Sequence, residues 1–168
     1  DFDPGTGISN LNSAGGDDIF ILKLKGMAPI PPAQTPGSLD LTFDKDGLVT
    51  TNIGDYDDQA YSVTIQTDGK IIVAGGFSNP GYDDFFVLRY NSDGTLDTSF
   101  GSGGVVQTDF GGDDVARIVK TQSDGKIVVA GYTKSDGFQA DFALARYNSN
   151  GSLDTTFGVN GKTTTSIG

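Results

Sequence analysis

Gly37-Ser-Leu-Asp-Leu-Thr-Phe43 returns as Gly94-Thr-Leu-Asp-Thr-Ser-Phe100 and again as Gly151-Ser-Leu-Asp-Thr-Thr-Phe157, each copy 57 residues after the last. Self-similarity at a fixed spacing of this length marks a repeat architecture, in which each unit needs its neighbours to bury a core. Outward from that motif the period holds: Gly47, Gly104 and Gly161 keep it, as do Ile53, Phe110 and Ile167, each followed by Gly. Between these points the phase slips by one, because Gln66-Thr-Asp-Gly-Lys70 returns as Gln122-Ser-Asp-Gly-Lys126 after 56 residues. Loops absorb the difference. Upstream, Asp18-Ile-Phe-Ile-Leu-Lys-Leu24 aligns with Asp84-Phe-Phe-Val-Leu-Arg-Tyr90 and Asp141-Phe-Ala-Leu-Ala-Arg-Tyr147, and reads as the late strand of a preceding unit.

Each full unit reads as four short strands. The first are Leu48 to Ile53 and Val105 to Phe110, the second Ala60 to Gln66 and Ala116 to Gln122, the third Lys70 to Phe77 and Lys126 to Thr133. An Asp-Gly step between the second and third strands supplies the positive φ of a tight hairpin, here expected as type I′. The fourth strands, Asp84 to Tyr90 and Asp141 to Tyr147, are apolar on alternate sides, with Phe85 and Val87 on one and Phe86, Leu88 and Tyr90 on the other. A strand apolar on both faces lies between two layers. No segment of ten or more residues shows helical periodicity. The fold expected is all-β, with four-stranded antiparallel β-propeller blades and an incomplete ring within the chain. A β-helix would need parallel ladders where Asp-Gly turns demand hairpins, and an immunoglobulin-like sandwich would leave the repeat unexplained.

The organisation expected is the end of a preceding repeat over 1–26 and a connector over 27–36 in which three prolines within six residues cannot donate ladder hydrogen bonds. Repeat units follow over 37–93 and 94–150, and 151–168 starts another. The termini fall inside repeats, so the 168-residue chain is expected to be stable only with further blades, from the same chain or from other subunits.

Composition removes much chemistry. The chain carries 22 Asp+Glu against 11 Lys+Arg, a formal charge of −11, which repels nucleic acid and anionic membrane. His and Cys are both absent, so imidazole bases, thiol nucleophiles, disulfides and His or Cys metal sites are excluded. Apolar runs stop at four residues, far short of a membrane-spanning helix, and no membrane insertion is expected.

Only hard, oxygen-preferring cations remain as metal candidates. The best place for calcium is Asn91-Ser-Asp-Gly-Thr-Leu-Asp97, with Asn91, Asp93 and Asp97 as ligands, echoed by Asn148-Ser-Asn-Gly-Ser-Leu-Asp154 and, nearby, by Asp44-Lys-Asp-Gly47. The spacing departs from the calcium-loop pattern, no bidentate Glu follows, and Asn150 replaces Asp93, so the loop reads as an Asx turn and no cofactor is expected. Asp55-Tyr-Asp-Asp58, Asp113-Asp114, Asp17-Asp18 and Asp83-Asp84 offer paired carboxylates of the kind glycosidases use. Their recurrence from unit to unit argues for structural work instead, since a catalytic pair is ordinarily unique. No G-x-S-x-G elbow or S-x-x-K sequence occurs, and Gly101-Ser-Gly-Gly104 leads into a strand, as a β-turn rather than a phosphate loop. Among the 17 Phe and Tyr residues, Phe43, Phe100, Phe157, Phe85 and Phe142 sit at equivalent positions and are expected between blades. Tyr56, Phe77, Tyr82, Tyr132 and Phe138 fall in or beside loops, where they would pack or contact a sugar or protein.

Gln66-Thr-Asp-Gly-Lys-Ile-Ile-Val-Ala-Gly75, Asp141-Phe-Ala-Leu-Ala-Arg-Tyr147 and Asn150-Gly-Ser-Leu-Asp-Thr-Thr-Phe-Gly158 resemble the delta-60 repeat family of bacterial β-propeller proteins. Asp1-Phe-Asp-Pro-Gly-Thr-Gly7 and Gly15-Gly-Asp-Asp-Ile-Phe-Ile-Leu-Lys-Leu24 are similar to the SBBP-type propeller repeat. The resemblance implies a large exported bacterial protein, an extracellular or cell-surface setting, and protein or glycan partners; it brings no catalytic residues. The function expected is therefore a non-catalytic scaffold, adhesion or ligand-binding platform. The alternative is part of a propeller-fold carbohydrate-active enzyme whose active site lies outside this stretch.

Overall fold

A computed structural model describes residues 19–22, 37–54, 56–78, 81–135 and 139–166, with backbone alone for the first of these. Ten strands run in chain order: β1 (Ile19–Leu22), β2 (Leu48–Thr51), β3 (Asp58–Ile65), β4 (Ile71–Ser78), β5 (Asp83–Tyr90), β6 (Val105–Thr108), β7 (Asp113–Thr121), β8 (Ile127–Lys134), β9 (Asp141–Tyr147) and β10 (Lys162–Thr165). They form a two-stranded sheet β1-β2 and two four-stranded antiparallel sheets, β3-β4-β5-β6 and β7-β8-β9-β10. These are the blades the repeat demands, and no ring closes among the described residues. The sheets are phased differently from the motif copies: β6 opens the unit after Gly94 yet pairs with β5 as the last strand of the preceding blade.

Two apolar layers hold the sheets together. Ile71, Val73, Phe77, Phe86, Leu88 and Tyr90 of the first blade pack with Phe43 and Val49 beside the two-stranded sheet. Ile72, Ala74, Phe85 and Val87, on the opposite side of the same strands, pack with Ala116, Val119, Ile127, Val129, Ala143, Ala145 and Tyr147 of the second blade. Alternation along β4 and β5 therefore feeds both layers, as their two apolar faces require.

The Asp-Gly turns close hairpins, but they are not type I′. Gln66 N donates to Lys70 O at 2.8 Å and Gly69 N to Gln66 O at 2.9 Å, so the loop holds three residues. Gly69 and Gly125 have φ of 84° and 82°, while Asp68 and Asp124 are absent from the positive-φ residues. This is a turn ending on a left-handed Gly, which suits a loop of three better than one of two. Asp68 caps it through Lys70 N at 3.1 Å.

A second local feature escaped the periodicity. The β3–β4 register slips between Ala60 and Ser62, and the β7–β8 register between Ala116 and Ile118. Each slip is a bulge opposite a Gly, and Arg117, bulged in the second blade, lays its guanidinium 4.0 Å from the ring of Tyr61, bulged in the first.

Candidate functional site

The proposed calcium residues are held by turn bonds and cations. Thr95 N donates to Asp93 Oδ1 at 3.0 Å, Asn91 N to Thr95 O at 2.8 Å, and Gly94 has φ 91°, which makes Asn91 to Thr95 the same three-residue loop as at Gln66. Asp97 lies apart from Asp93 in function: its Oδ2 takes Lys70 Nζ and Arg89 Nε, each at 2.7 Å, and its Oδ1 takes Ser99 N and Oγ. Burial acts to raise the Asp97 pKa, but the bonds from Lys70 and Ser99 and the Arg89 charge outweigh it and hold the carboxyl well below its usual range. Lys70 Nζ also donates to Asn91 Oδ1 at 3.0 Å. An ammonium and a guanidinium thus stand where a calcium ion would need its charge.

The same network recurs in the second blade. Arg146 Nε lies 2.8 Å and Lys126 Nζ 3.4 Å from Asp154 Oδ2, and the Thr156 hydroxyl bond, against the opposing effect of burial, helps hold Asp154 below its usual range. Lys70, Arg89, Lys126 and Arg146 were not singled out from the sequence. The signal was available: Asp-Gly-Lys, Arg-Tyr and Leu-Asp all recur at the period, and opposite charges that recur together are candidates for one cluster.

The Arg89 network also joins the blades. Arg89 Nη1 donates to the Ser149 carbonyl at 2.5 Å, and the guanidinium lies 4.6 Å from the centre of the Phe100 ring. A Cβ on Gly151 would come within 3.0 Å of that ring, so Gly lets the second blade's loop close over Phe100. Below it, Tyr147 Oη and Thr108 Oγ1 meet at 2.7 Å, as Tyr90 Oη and Thr51 Oγ1 do at 2.6 Å one repeat earlier. Burial, partly offset by Thr108, pushes the Tyr147 phenol up to about 12.

Of the paired acids, Asp58 and Asp114 are buried and do equivalent work. Asp58 Oδ2 accepts Ile53 N at 2.7 Å, and Asp114 Oδ2 accepts Phe110 N at 2.5 Å. Asp114 is brought close to Asp84 and to Asp109, so that one carboxylate oxygen from each lies within 4.8 Å of the others. Burial first, then the charges of Asp109 and Asp84, push the Asp114 pKa up against the opposing pull of the nearby Thr133 hydroxyl and of the Phe110 amide. Asp109 was missed because the first unit has Asn52 at its position, and a search for repeats passes over what changes between them. Asp17, Asp18, Asp55 and the connector 27–36 lie outside the described residues.

Two aromatic expectations are corrected. Phe142 is 54% exposed, unlike its counterpart Phe85 at 0%, because it lies on the face of the second blade that no described residue covers. Phe77 does stand at the end of its strand beside a loop, but it is buried: it ends the buried run of β4 and joins the first apolar layer instead of offering a surface contact. Phe43 and Phe100 are fully buried, while Phe157 is only half-buried beneath Arg146, whose guanidinium is 4.7 Å from the ring centre. Tyr56 and Tyr82 stand exposed, Tyr132 packs beside Arg117 and Lys134, and Phe138 lies outside the described residues. Gly101 to Gly104 forms the expected turn, with Ser102 N donating to Val105 O at 2.8 Å.

Comparison with the curated proteins finds no match. Residues 66–100 and 122–157 each match the family described as Domain of unknown function (DUF5122) beta-propeller, one match to each four-stranded sheet's hairpin and following motif, so the chain carries two repeats of that β-propeller domain.

Proposed function

We propose that the chain is a non-catalytic stacking module whose blades cover one another's faces and present their loops to a protein or glycan outside the cell. One observation carries this reading. Phe142, Arg146, Phe157 and Thr165 of the second blade occupy the repeat positions of Phe85, Arg89, Phe100 and Thr108. In the first blade those four side chains are buried, and all meet or underlie the second blade. On the second blade Phe142 and Thr165 are exposed and Phe157 and Arg146 half-buried. A face that copies a buried face fits the same occupant, a further blade of this repeat with Gly where Gly151 stands and a main-chain carbonyl where Ser149 offers one.

The non-catalytic half of the reading is supported by how the acids are used: Asp93, Asp97, Asp154, Asp58 and Asp114 bind main-chain amides, hydroxyls or cations of the fold itself. The extracellular setting and the surface partner rest on the resemblance to delta-60 and SBBP-type arrays. The test extends the chain after Gly168 with a copy of residues 112–168. The added blade should cover Phe142 and raise the melting temperature, while itself ending on a copy of the same face; an unchanged melting temperature would sink the stacking reading. A glycan array paired with a hydrolase panel tests the rest, and turnover of any glycan would overturn the non-catalytic assignment.

A further inference from the structure

We infer that the junction between the two four-stranded blades is a calcium site built from Asp84, Asp109 and Asp114 with the hydroxyl of Thr133. The three carboxylates come from separate elements: Asp84 from β5, Asp109 from the chain leaving β6, and Asp114 from β7 of the next blade. One oxygen from each lies within 4.8 Å of the other two. Like charges held this close repel, and burial of one of them removes the water that would screen it.

A separate observation points to a ligand between them. Thr133 is 3% exposed, faces Asp114 across the β7–β8 ladder, and its Oγ1 has no hydrogen-bond partner. Asp114, fully buried, uses Oδ2 for the Phe110 amide and leaves Oδ1 likewise without a completed bond. The hydroxyl lies against that carboxyl closely enough to oppose the rise in its pKa, yet the two do not close a hydrogen bond. Buried polar atoms left in this state usually answer to water or an ion.

The first junction separates turn capping from this feature. There Asp58 makes the same bond to Ile53 N, but Asn52 stands in place of Asp109 and Phe77 in place of Thr133. Capping the turn therefore needs one Asp; the added carboxylate and hydroxyl at the second junction are not required by it. Neither Asp109 nor Asp114 forms an ion pair among the described residues, and Lys162 Nζ donates to the Asp109 carbonyl, at 2.7 Å, instead of to a carboxylate.

The donor set favours calcium over magnesium. Three protein carboxylates and a hydroxyl suit an ion that takes roughly six to eight oxygens in a flexible geometry, whereas magnesium keeps several waters and is usually held by one or two carboxylates. Exposed Asp109 gives the ion a way in and leaves coordination positions to water. Bound there, the ion would tie β5 and β6 of one blade to β7 of the next.

The probe is calcium chloride, titrated calorimetrically into the chelator-stripped 168-residue chain. One equivalent should bind, and calcium at a hundred times its dissociation constant should raise the melting temperature by roughly 5–10 °C. Asp109→Asn, at an exposed position, should fold and lose about tenfold or more in affinity, and Thr133→Val should also weaken binding. Asp93→Asn, in the Asn91 loop, should bind calcium as the parent does. Absence of binding at millimolar calcium, unchanged affinity in Asp109→Asn, or equal stabilisation by magnesium or by sodium chloride at matched ionic strength would each overturn the site.

Discussion

Gly75 and Gly131 show why single residues of the repeat cannot drift. A Cβ at Gly75 would stand 1.8 Å from the Gln59 carbonyl oxygen and 2.7 Å from the Phe86 ring, and one at Gly131 would stand 2.0 Å from the Val115 carbonyl oxygen. Both face the bulges, where the partner backbone swings in. Gly131→Ala should therefore cost about 2–4 kcal/mol in urea unfolding, by forcing the ladder apart. Gly103→Ala, with φ 64° and nothing within 4 Å, should cost only about 1–2 kcal/mol of backbone strain. Equal costs would show that the bulges yield. Asp97 makes a second prediction at this scale. Its carboxyl is held below the usual 3.8, so the unfolded chain takes up its proton first as the pH falls. The stability Asp97 contributes is complete above about pH 4 and is lost below it, and Asp154 adds to the same limb. Asp97→Asn should be weaker than the parent at pH 6, with the gap closing as the urea midpoints are followed down to pH 3. A gap that stays constant would contradict the ion pair. These acids were legible as recurring motif residues, but their partners lie 27 and 8 residues away, and only the folded register brings them together.

At the scale of the element, the strands and their hairpins were readable because alternation and Asp-Gly steps act locally. The turn type was not, since it depends on which residues pair at the mouth of the loop: the Gln66–Lys70 bond leaves three residues inside. The bulges were hidden for a related reason, because one extra residue in a strand leaves the composition of the strand unchanged. A three-residue loop makes a definite demand on Gly69. Its φ is 84°, and an added Cβ would meet only Ser92 Cβ, at 3.5 Å. The cost of substitution is therefore conformational and not steric. Gly69→Asn should be tolerated within about 1 kcal/mol, because Asn enters the left-handed region readily, while Gly69→Val should lose about 2 kcal/mol or more. Thermal melts of the two variants distinguish this loop from a type I′ turn, in which Asp68 would also need positive φ and Asp68→Val would be as damaging as Gly69→Val. In the observed loop Asp68→Val loses only the bond to Lys70 N.

At the scale of the molecule, stability depends on neighbours, and the repeat supplies its own control. Phe85 and Phe142 occupy the same position in successive units, yet one is fully buried and the other 54% exposed. Phe85 meets Phe110 with ring centroids 5.0 Å apart and belongs to the layer between the blades. Sequence alone assigned both residues to that layer, because a period reports what a position is built to do and not whether an occupant is at hand. Truncating Phe85 to Ala opens a cavity in a closed layer and should cost about 3–5 kcal/mol. Truncating Phe142 removes a side chain that already meets water and should cost less than about 1 kcal/mol. The contrast is sharpest when the chain is extended by a further repeat. If stability is a sum of unit and nearest-neighbour terms, the added blade leaves the Phe85 cost unchanged and raises that of Phe142 toward it. The measurement is a four-variant set of urea midpoints, each substitution made in the 168-residue chain and in the extended one. A Phe142 cost that stays small in the extended chain would mean that the new blade does not seat on this face, and the equivalence of the two faces would then be one of sequence only.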